Sequence, residues 1–257
     1  MSGVLRPGDE VLFIDARGRR YLVELANGKE FHTHAGPVPH DDVIGRSEGS
    51  EVRSVKGARY RVWRPTLGDV VLSMPRGAQV IYPKDLGAIL MLGDIFPGAR
   101  VFESGLGSGA LSMALLRAGA SVLGYELRAD FLARARSNVA RFAGDDALAR
   151  YDTHERDAYE GIDATGLDRV LLDLPEPWQV VPHAAGALAP GGILVAYTPS
   201  VVQVVTLRDA LESAGFLVAE TLEVLHRSWH VEHPAVRPMH RMQGHTGFLT
   251  HARLAAD

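Results

Sequence analysis

The chain has 257 residues and a mass of 27.8 kDa, which suffices for one large α/β domain and a smaller appendage. It contains no cysteine, so disulfides, a thiol nucleophile and a cysteine-based zinc site are excluded. The net charge is −4, from 27 basic and 31 acidic side chains, so contact with a polyanion must come from local patches rather than the overall field. Residues 1–15 lack the apolar run of a signal peptide or membrane span, and we expect a cytoplasmic protein with no membrane attachment.

Short apolar runs alternate with turn residues in the first quarter of the chain. The runs cover 11–14, 21–25 and 60–63 and predict a small antiparallel β domain over residues 1–64. Basic residues concentrate in the same region, where they form either an RNA-contacting patch or an ordinary solvated face. The candidates for contact with a polyanion, including two near the other end of the chain, are Arg17, Arg19, Arg20, Arg59, Arg237 and Arg241.

Beyond residue 64 the pattern changes, and we assign residues 65–257 to one α/β domain. Thr66 can cap a short helix that runs to about residue 74. Strands are predicted at 100–104, 121–127, 169–174, 192–198, 218–225 and 247–254. Helices are predicted at 86–94, 110–117, 129–142, 179–188 and 201–214. Near-continuous apolar strands between amphipathic helices favour a parallel sheet covered on both faces, with the last two strands as an antiparallel edge.

The first chemical motif is a strand that runs into Gly105, Gly107 and Gly109 and then into a helix. Glycines there let the chain turn sharply and let a ligand approach the backbone. The same segment satisfies a permissive dinucleotide fingerprint, so a nicotinamide-dependent oxidoreductase is an alternative. The sequence has no Tyr-x-x-x-Lys pair that would support hydride transfer.

Carboxylates near the glycine segment favour a different cofactor. Glu103, at the strand tip, would repel a pyrophosphate but suits the ammonium and sulfonium of S-adenosylmethionine. Glu126 ends the next strand, where a carboxylate can accept hydrogen bonds from both hydroxyls of a ribose. Asp157 is placed at the tip of the third strand, where it either meets an adenine amino group or is an exposed loop acid.

The second motif is an apolar strand that ends at Asp173 and continues as Leu-Pro-Glu-Pro-Trp. The two prolines predict a rigid, non-helical turn that fixes a polar side chain opposite the glycine segment. Asp173 lies too far upstream to cap a helix that begins near Trp178. The arrangement resembles that of Rossmann-like methyltransferases, in which the tip of the fourth strand delivers an Asp or Asn to the atom being methylated, and the resemblance implies that role for Asp173.

With these motifs the chain closely resembles the tRNA (adenine-58, N1) methyltransferase family of the single-subunit prokaryotic type. The resemblance covers nearly the whole chain, and the segments that carry it are 79–85, 103–109, 173–178, 195–199 and 244–249. One departure is Leu106, where the family commonly has threonine, and this removes a hydroxyl near the cofactor.

The resemblance implies a small N-terminal β domain followed in the sequence by a Rossmann-like class I methyltransferase sheet. It also implies S-adenosylmethionine as cofactor, tRNA as partner and a homotetramer as the assembly. Asp173 is the catalytic candidate, since it can accept a hydrogen bond from the adenine amino group and stabilise the charge that develops on methylation. The cofactor-binding residues that the resemblance implies are Gln79, Glu103, Gly105, Leu106, Gly107, Ser108, Gly109, Glu126, Asp157 and Asp173. The substrate-binding residues that it implies are Tyr82, Trp178, Tyr197 and His245.

Other interpretations remain open on the sequence alone. A methyltransferase that acts on a protein or small molecule would keep the glycine segment and lose the paired tyrosine and Asp-Leu-Pro-Glu-Pro-Trp arrangement. A noncatalytic RNA-binding subunit would be expected to have lost the glycine segment. The histidines at 32 and 34 and those between 226 and 240 lack a carboxylate or cysteine at ligand spacing, so we predict no metal site.

Overall fold

The computed structural model describes residues 3–74 and 79–256. The backbone divides into two compact units, Met1–Pro75 and Arg76–Asp257. The sequence placed a domain boundary at residue 64, whereas the short helix after it groups with the first unit. An ion pair between Arg20 and Asp69 ties that helix to the β strands, which explains the grouping.

The first unit is built around a four-stranded antiparallel sheet with the order β2-β1-β6-β5. Its elements are β1 (Glu10–Asp15), β2 (Arg20–Glu24), β3 (Glu30–Phe31), β4 (Val38–Pro39), a 3₁₀ turn (His40–Asp42), β5 (Glu51–Arg53), β6 (Arg59–Trp63) and α1 (Leu67–Ser73). The aromatic rings of Phe13, Phe31 and Tyr60 pack together, with the Phe13 and Phe31 centroids 4.7 Å apart. In β6 buried and exposed residues alternate, as a sheet with one face on a core requires.

The predicted cap of α1 is confirmed. The Thr66 side chain accepts a hydrogen bond from the Asp69 backbone N–H at 3.2 Å, and the Asp69 carboxylate accepts one from the Thr66 N–H at 3.1 Å. This reciprocal arrangement is a capping box, in which two otherwise unpaired donors at the helix start are satisfied.

The second unit alternates strands and helices. Its elements are α2 (Pro83–Leu92), β7 (Arg100–Ser104), α3 (Ala110–Arg117), β8 (Ser121–Glu126), α4 (Ala129–Ala143), α5 (Asp145–Leu148), β9 (Tyr151–Glu155), β10 (Leu167–Leu172), a 3₁₀ turn (Pro177–Gln179), α6 (Val181–Ala187), β11 (Leu188–Thr198), α7 (Val201–Ser213), β12 (Phe216–Leu222), β13 (Trp229–Glu232), β14 (Ala235–Pro238) and β15 (Phe248–Leu254). Strands β13 and β14 pair with each other as a separate two-stranded hairpin.

A seven-stranded sheet forms the centre of the second unit, in the order β12-β15-β11-β10-β7-β8-β9. Strands β11, β10, β7, β8 and β9 are parallel, and both pairings of β15 are antiparallel. The predicted parallel sheet with an antiparallel edge is therefore confirmed, with β15 as the reversed strand and β12 running in the direction of the parallel set. Helices cover the buried apolar strands, and one core cluster includes residues of β7, β10, β11, α6 and α7.

This strand order brings the predicted motifs to one edge of the sheet. Strand β7 lies between β10 and β8, so the segments after their carboxyl ends are neighbours. In open α/β sheets ligands bind at such an edge, where the chain leaves adjacent strands in different directions. At this edge the glycines follow β7, Glu126 is the last residue of β8, and Asp173 follows β10.

Candidate active site

The glycine segment and the Asp173 segment are in direct backbone contact. Gly105 has φ +86°, and a Cβ built on it would overlap the carbonyl oxygen of Asp173. The Asp173 N–H donates to the Ser104 carbonyl at 2.9 Å. Only glycine satisfies both the positive φ and the close approach at position 105. The structure thus places Asp173 against the glycine segment, on the side that the sequence predicted.

The remaining glycines complete a tight turn into α3. The Gly109 N–H donates to the Leu106 carbonyl at 2.8 Å, and Gly109 has φ +81° with its Cα against Ala135 of α4. Gly107 has no atom within 4 Å of a built Cβ, so its face of the turn is open. Ser108 is buried, and its carbonyl accepts a hydrogen bond from Asn138 at 2.9 Å.

Leu106 lies in the glycine turn, and its apolar side chain is buried against the sheet. The side chain is 3% exposed and packs against Gly124 of β8, where a Cβ would come within 2.9 Å of it. Leu106 therefore contributes packing under the glycine turn. The hydroxyl that the family commonly has at this position is replaced by an apolar contact with the sheet.

Glu103 is a buried carboxylate whose charge is only partly compensated. The residue is 0% exposed, and neither carboxylate oxygen makes a hydrogen bond of full geometry in the described part of the chain, although Ser112 lies close enough to stabilise the charged form in part. Burial raises the pKa of Glu103 to about 8, since the Ser112 hydroxyl opposes the shift only in part and the charges of Asp173 and Glu126 reinforce it. A cation bound nearby would relieve the cost of burying this charge.

Glu126 at the end of β8 is anchored by backbone donors. One carboxylate oxygen accepts the Gly107 N–H at 3.1 Å, and the other accepts the Arg128 N–H at 3.1 Å. These bonds fix the orientation of the carboxylate beside the glycine turn. An ionised carboxylate has about four acceptor positions, so both oxygens keep capacity for further donors such as ribose hydroxyls.

Asp173 is partly buried at the end of β10. Burial raises its pKa to about 7, and the nearby charge of Glu126 acts in the same direction. A donor placed against this carboxylate would favour its charged form. The Asp173 carboxyl is therefore expected to become fully ionised when a ligand places a hydrogen-bond donor against it.

Three other residues predicted to bind the cofactor or substrate lie outside the strands and α-helices. Asp157 accepts the Tyr159 N–H at 2.9 Å and so caps its own turn after β9. Gln79 is exposed ahead of α2, and Trp178 is half-buried in the 3₁₀ turn after the Asp173 segment. Their assignment to the site stays a prediction.

The two tyrosines of the predicted adenine pocket are held through main-chain atoms. Tyr82 immediately precedes α2, and its carbonyl accepts the N–H of Asp85 at 2.9 Å. Tyr197 is the next-to-last residue of β11, where its hydroxyl donates to the Thr246 carbonyl at 2.5 Å and a Cβ on Gly247 would overlap its ring. Burial raises the pKa of Tyr197 to about 12, so its hydroxyl stays a donor.

His245 is held in one orientation by two acceptors. Its Nδ1 lies 2.6 Å from a carboxylate oxygen of Glu223, and its Nε2 lies 3.1 Å from the Pro199 carbonyl. The hydrogen bond to Glu223 raises the pKa of His245, with the Pro199 contact adding to it. Since both ring nitrogens face acceptors, the doubly protonated imidazolium satisfies both contacts.

Sequence reasoning missed a buried polar network beside these residues. Lys84 and Asp85 form an ion pair at 2.7 Å with side chains 5% and 0% exposed, and Thr246 bonds to both. Both segments belong to the motifs that carried the family resemblance, which was the available signal. Two adjacent charges at the start of a helix give no indication by themselves that they are buried.

The described residues contain neither a metal-binding cluster nor a membrane-spanning helix. No group of three or more His, Asp or Glu side chains there could hold a metal ion. No helix in residues 3–74 and 79–256 is long and apolar enough to cross a membrane.

Comparisons with protein families match both units. Residues 61–236 match the family described as tRNA methyltransferase complex GCD14 subunit, and residues 3–52 match the family described as TrmI-like N-terminal. The tRNA (adenine(58)-N(1))-methyltransferase TrmI of Thermus thermophilus is 40% identical over 246 residues, which are 95% of this chain and 96% of that protein. The tRNA (adenine(57)-N(1)/adenine(58)-N(1))-methyltransferase TrmI of Methanocaldococcus jannaschii is 34% identical over 272 residues, covering 96% of this chain and 95% of that protein.

Solved structures give the same fold. One described as an S-adenosylmethionine-dependent O-methyltransferase from Thermotoga maritima has a TM-score of 0.94 and 31% identity, covering 99% of this chain and 96% of that chain. The tRNA (m1A58) methyltransferase TrmI from Aquifex aeolicus has a TM-score of 0.87 and 26% identity, covering 99% of this chain and all of that chain (100%). The resemblance seen in the sequence motifs is therefore confirmed. The chain belongs to the tRNA methyltransferase family of the GCD14 and TrmI proteins.

Proposed function

We propose that this protein transfers a methyl group from S-adenosylmethionine to N1 of adenosine 58 in tRNA. The observation that supports this most is the contact of the Asp173 segment with the glycine turn, next to the buried carboxylate of Glu103. Because the chain has this arrangement and also belongs to the tRNA methyltransferase family, we take S-adenosylmethionine as its cofactor and tRNA as its substrate class.

The residues at the glycine turn fit S-adenosylmethionine. Glu103 supplies a buried negative charge for a ligand that carries an ammonium and a sulfonium. Gly107 leaves an open face on the turn, and the oriented carboxylate of Glu126 can receive ribose hydroxyls. S-adenosylmethionine, when bound there, supplies an electrophilic methyl group. A nicotinamide cofactor would instead bring a pyrophosphate beside Glu103, which disfavours that alternative.

Asp173 carries the chemistry in this account. Adenine N1 has a lone pair and needs no strong base to attack the methyl carbon, so the new N1–C bond forms as the S–C bond breaks. The ring gains a positive charge in this step. The Asp173 carboxylate, accepting a hydrogen bond from the N6 amino group, orients the base and stabilises that charge. Loss of an N6 proton to water can follow and is not part of methyl transfer.

The base must leave the folded RNA to reach the site, because a stacked adenine does not expose N1 to a protein pocket. We assign the walls of that pocket to Tyr82 and Tyr197, with Trp178 and His245 at its margin. Tyr197 is fixed by its hydrogen bond to Thr246, so it offers a rigid ring face. Rigid walls reduce the misalignment of the base that would slow transfer.

We also propose that basic residues of the first unit contact the tRNA backbone. Arg19 and Arg20 are engaged in ion pairs with Asp15 and Asp69. Arg17 and Arg59 line a surface concavity of about 290 Å³ together with His34. Replacing Arg17 and Arg59 with alanine should weaken tRNA binding and reduce the slope of affinity against salt by about one unit per lost contact. Arg117→Ala, at the far end of α3, is the control for a changed net charge.

The assembly that we propose is a homotetramer in the cytoplasm. Four copies are what the family resemblance implies, and the β13–β14 hairpin offers a surface for self-association, since its side chains of Trp229, Val231 and Val236 are between 59% and 69% exposed. Contiguous exposed apolar residues mark interaction surfaces, and a two-stranded hairpin is marginal alone. Trp229→Glu should lower the molar mass measured by light scattering. A variant that keeps the mass of the original assembly would contradict this use of the hairpin.

The activity is tested with the purified full chain, radiolabelled S-adenosylmethionine and tRNA transcripts. We expect label to enter a transcript with adenosine at position 58 and 1-methyladenosine to appear at that nucleotide. A transcript with guanosine at position 58 should accept none there. The structural relative described as an O-methyltransferase makes a hydroxyl of a small molecule or protein the second candidate acceptor. Methylation of such acceptors without any tRNA labelling would replace the proposal with that alternative.

A further inference from the structure

The buried network at the start of α2 is closed and fully satisfied. The Lys84 ammonium donates to an Asp85 carboxylate oxygen at 2.7 Å, to the Thr246 hydroxyl at 2.6 Å and to the Val224 carbonyl at 2.7 Å. The Thr246 hydroxyl donates to the other Asp85 oxygen at 2.7 Å. A lysine has three N–H donors, so all of them are used.

Stability alone is a poor explanation for this network. Removing two charges from water is costly, and well-packed apolar residues of similar volume are often as stable or more stable than a buried ion pair. What the charges add is directional geometry between segments far apart in the chain. Lys84 and Asp85 belong to α2, while Val224 and Thr246 lie on the two segments that flank the β13–β14 hairpin.

The network is connected to both tyrosines of the proposed pocket. Tyr82 lies two residues before Lys84, and its carbonyl accepts the Asp85 N–H. Tyr197 donates to the main-chain carbonyl of Thr246, whose hydroxyl is held by Lys84 and Asp85. Thr246 is therefore the point at which the two tyrosines are joined. Burial raises the pKa of Tyr197, and the hydrogen bond to Thr246 opposes that rise.

We propose that Lys84, Asp85 and Thr246 are positioning residues that set the distance between Tyr82 and Tyr197. They thereby hold adenine beside Asp173 with its N1 in line for methylation. This rests on the proposed function for its chemistry. The three residues need not contact the base, because they act through the atoms that hold the tyrosines.

The test uses Thr246→Val, which keeps the shape of threonine and removes the hydroxyl. Thr250→Val is the matched control, since Thr250 is a buried threonine four residues further on, in β15, with its hydroxyl 2.9 Å from that of Thr221. We expect Thr246→Val to reduce the single-turnover methylation rate about 10-fold to 100-fold, the scale of a small misplacement of reacting groups. Cofactor affinity should stay within about twofold, and Thr246→Ser should restore most of the rate.

A double variant separates positioning from general destabilisation. If Thr246 acts through Tyr197, Thr246→Val combined with Tyr197→Phe should be no slower than the slower single variant. A rate for Thr246→Val equal to that of Thr250→Val, or losses that add fully in the double variant, would overturn the proposal.

A measurement without turnover keeps this proposal distinct from the proposed function. In the full chain labelled with 3-fluorotyrosine, the ¹⁹F resonances of Tyr82 and Tyr197, assigned by Tyr→Phe variants, should shift or broaden in Thr246→Val and stay in place in Thr250→Val. Unchanged resonances in Thr246→Val contradict the positioning role, whatever the substrate proves to be. Shifted resonances in a protein that fails to methylate tRNA would leave the positioning role intact and remove the proposed function.

Discussion

The backbone carbonyl of Asp173 occupies the space where a Cβ on Gly105 would lie. The proposed cofactor turn and the proposed catalytic segment are thus joined by direct main-chain contact. A substitution at Gly105 should therefore disturb both segments together.

We expect Gly105→Ala to abolish detectable methylation and to weaken S-adenosylmethionine binding by at least about tenfold, because the methyl group displaces Asp173 and the residue has φ +86°. Calorimetry and the methylation assay measure the two effects. Gly186→Ala is the control, since Gly186 lies exposed in α6 with no atom within 4 Å of a built Cβ. Near-normal activity of a folded Gly105→Ala protein would show that the two segments are not coupled.

Glu126→Ala should weaken S-adenosylmethionine binding by about 1.5 to 3 kcal/mol, the range for hydrogen bonds to a charged group. The loss combines the proposed ribose contacts with the anchor to the Gly107 N–H. Glu126→Gln keeps the shape and one acceptor oxygen and should lose less. Unchanged affinity in calorimetry with a folded Glu126→Ala protein would remove this residue from the site.

The buried carboxyl of Glu103 predicts a pH dependence of stability. Its pKa rises from an ordinary 4.5 to about 8 on folding, so the native state binds the proton more tightly than the unfolded state. The stabilisation is complete below the unfolded value and is lost as pH rises through about 8. Asp173, with a pKa raised to about 7, adds to the same trend in the window that begins near 4.

Denaturant unfolding of the protein without cofactor measures this trend. We expect the free energy of unfolding to fall between about pH 5 and pH 8, and the fall to be smaller in Glu103→Gln, whose amide does not titrate. The stabilisation by S-adenosylmethionine should increase with pH over the same range, because its cation favours the ionised carboxylate. Parallel pH profiles for the two proteins would show that Glu103 does not titrate as described.

Local sequence patterns predicted most of the second unit. Helix α3 and strand β7 have the predicted bounds, since a glycine turn and continuous apolar runs mark their ends. Strand β9 has no predicted bounds, because only Tyr151 of its five residues is buried and the apolar pattern is weak. The β13–β14 hairpin was also missed, although Trp229 and Val231 alternate with polar residues, because four-residue strands give too short a signal.

The site was predictable where its residues lie at the carboxyl ends of the parallel strands. Glu103 lies near the end of β7, and the glycines and Asp173 follow β7 and β10, so topology alone brings them to one edge of the sheet. Lys84 and Thr246, which are hydrogen-bonded to each other, are 162 positions apart in the sequence, and no local pattern indicates that the lysine is buried. The hydrogen bonds of His245 to Glu223 and Pro199 depend on tertiary packing in the same way.

The central claim is that Asp173 stabilises the charge that forms on adenine during methyl transfer to tRNA. Its most direct test is the single-turnover rate of tRNA methylation by Asp173→Ala, with cofactor and tRNA affinities measured on the same preparation. We expect the rate to fall by about two to three orders of magnitude, with both ligands still bound. A rate close to that of the unaltered protein would contradict it.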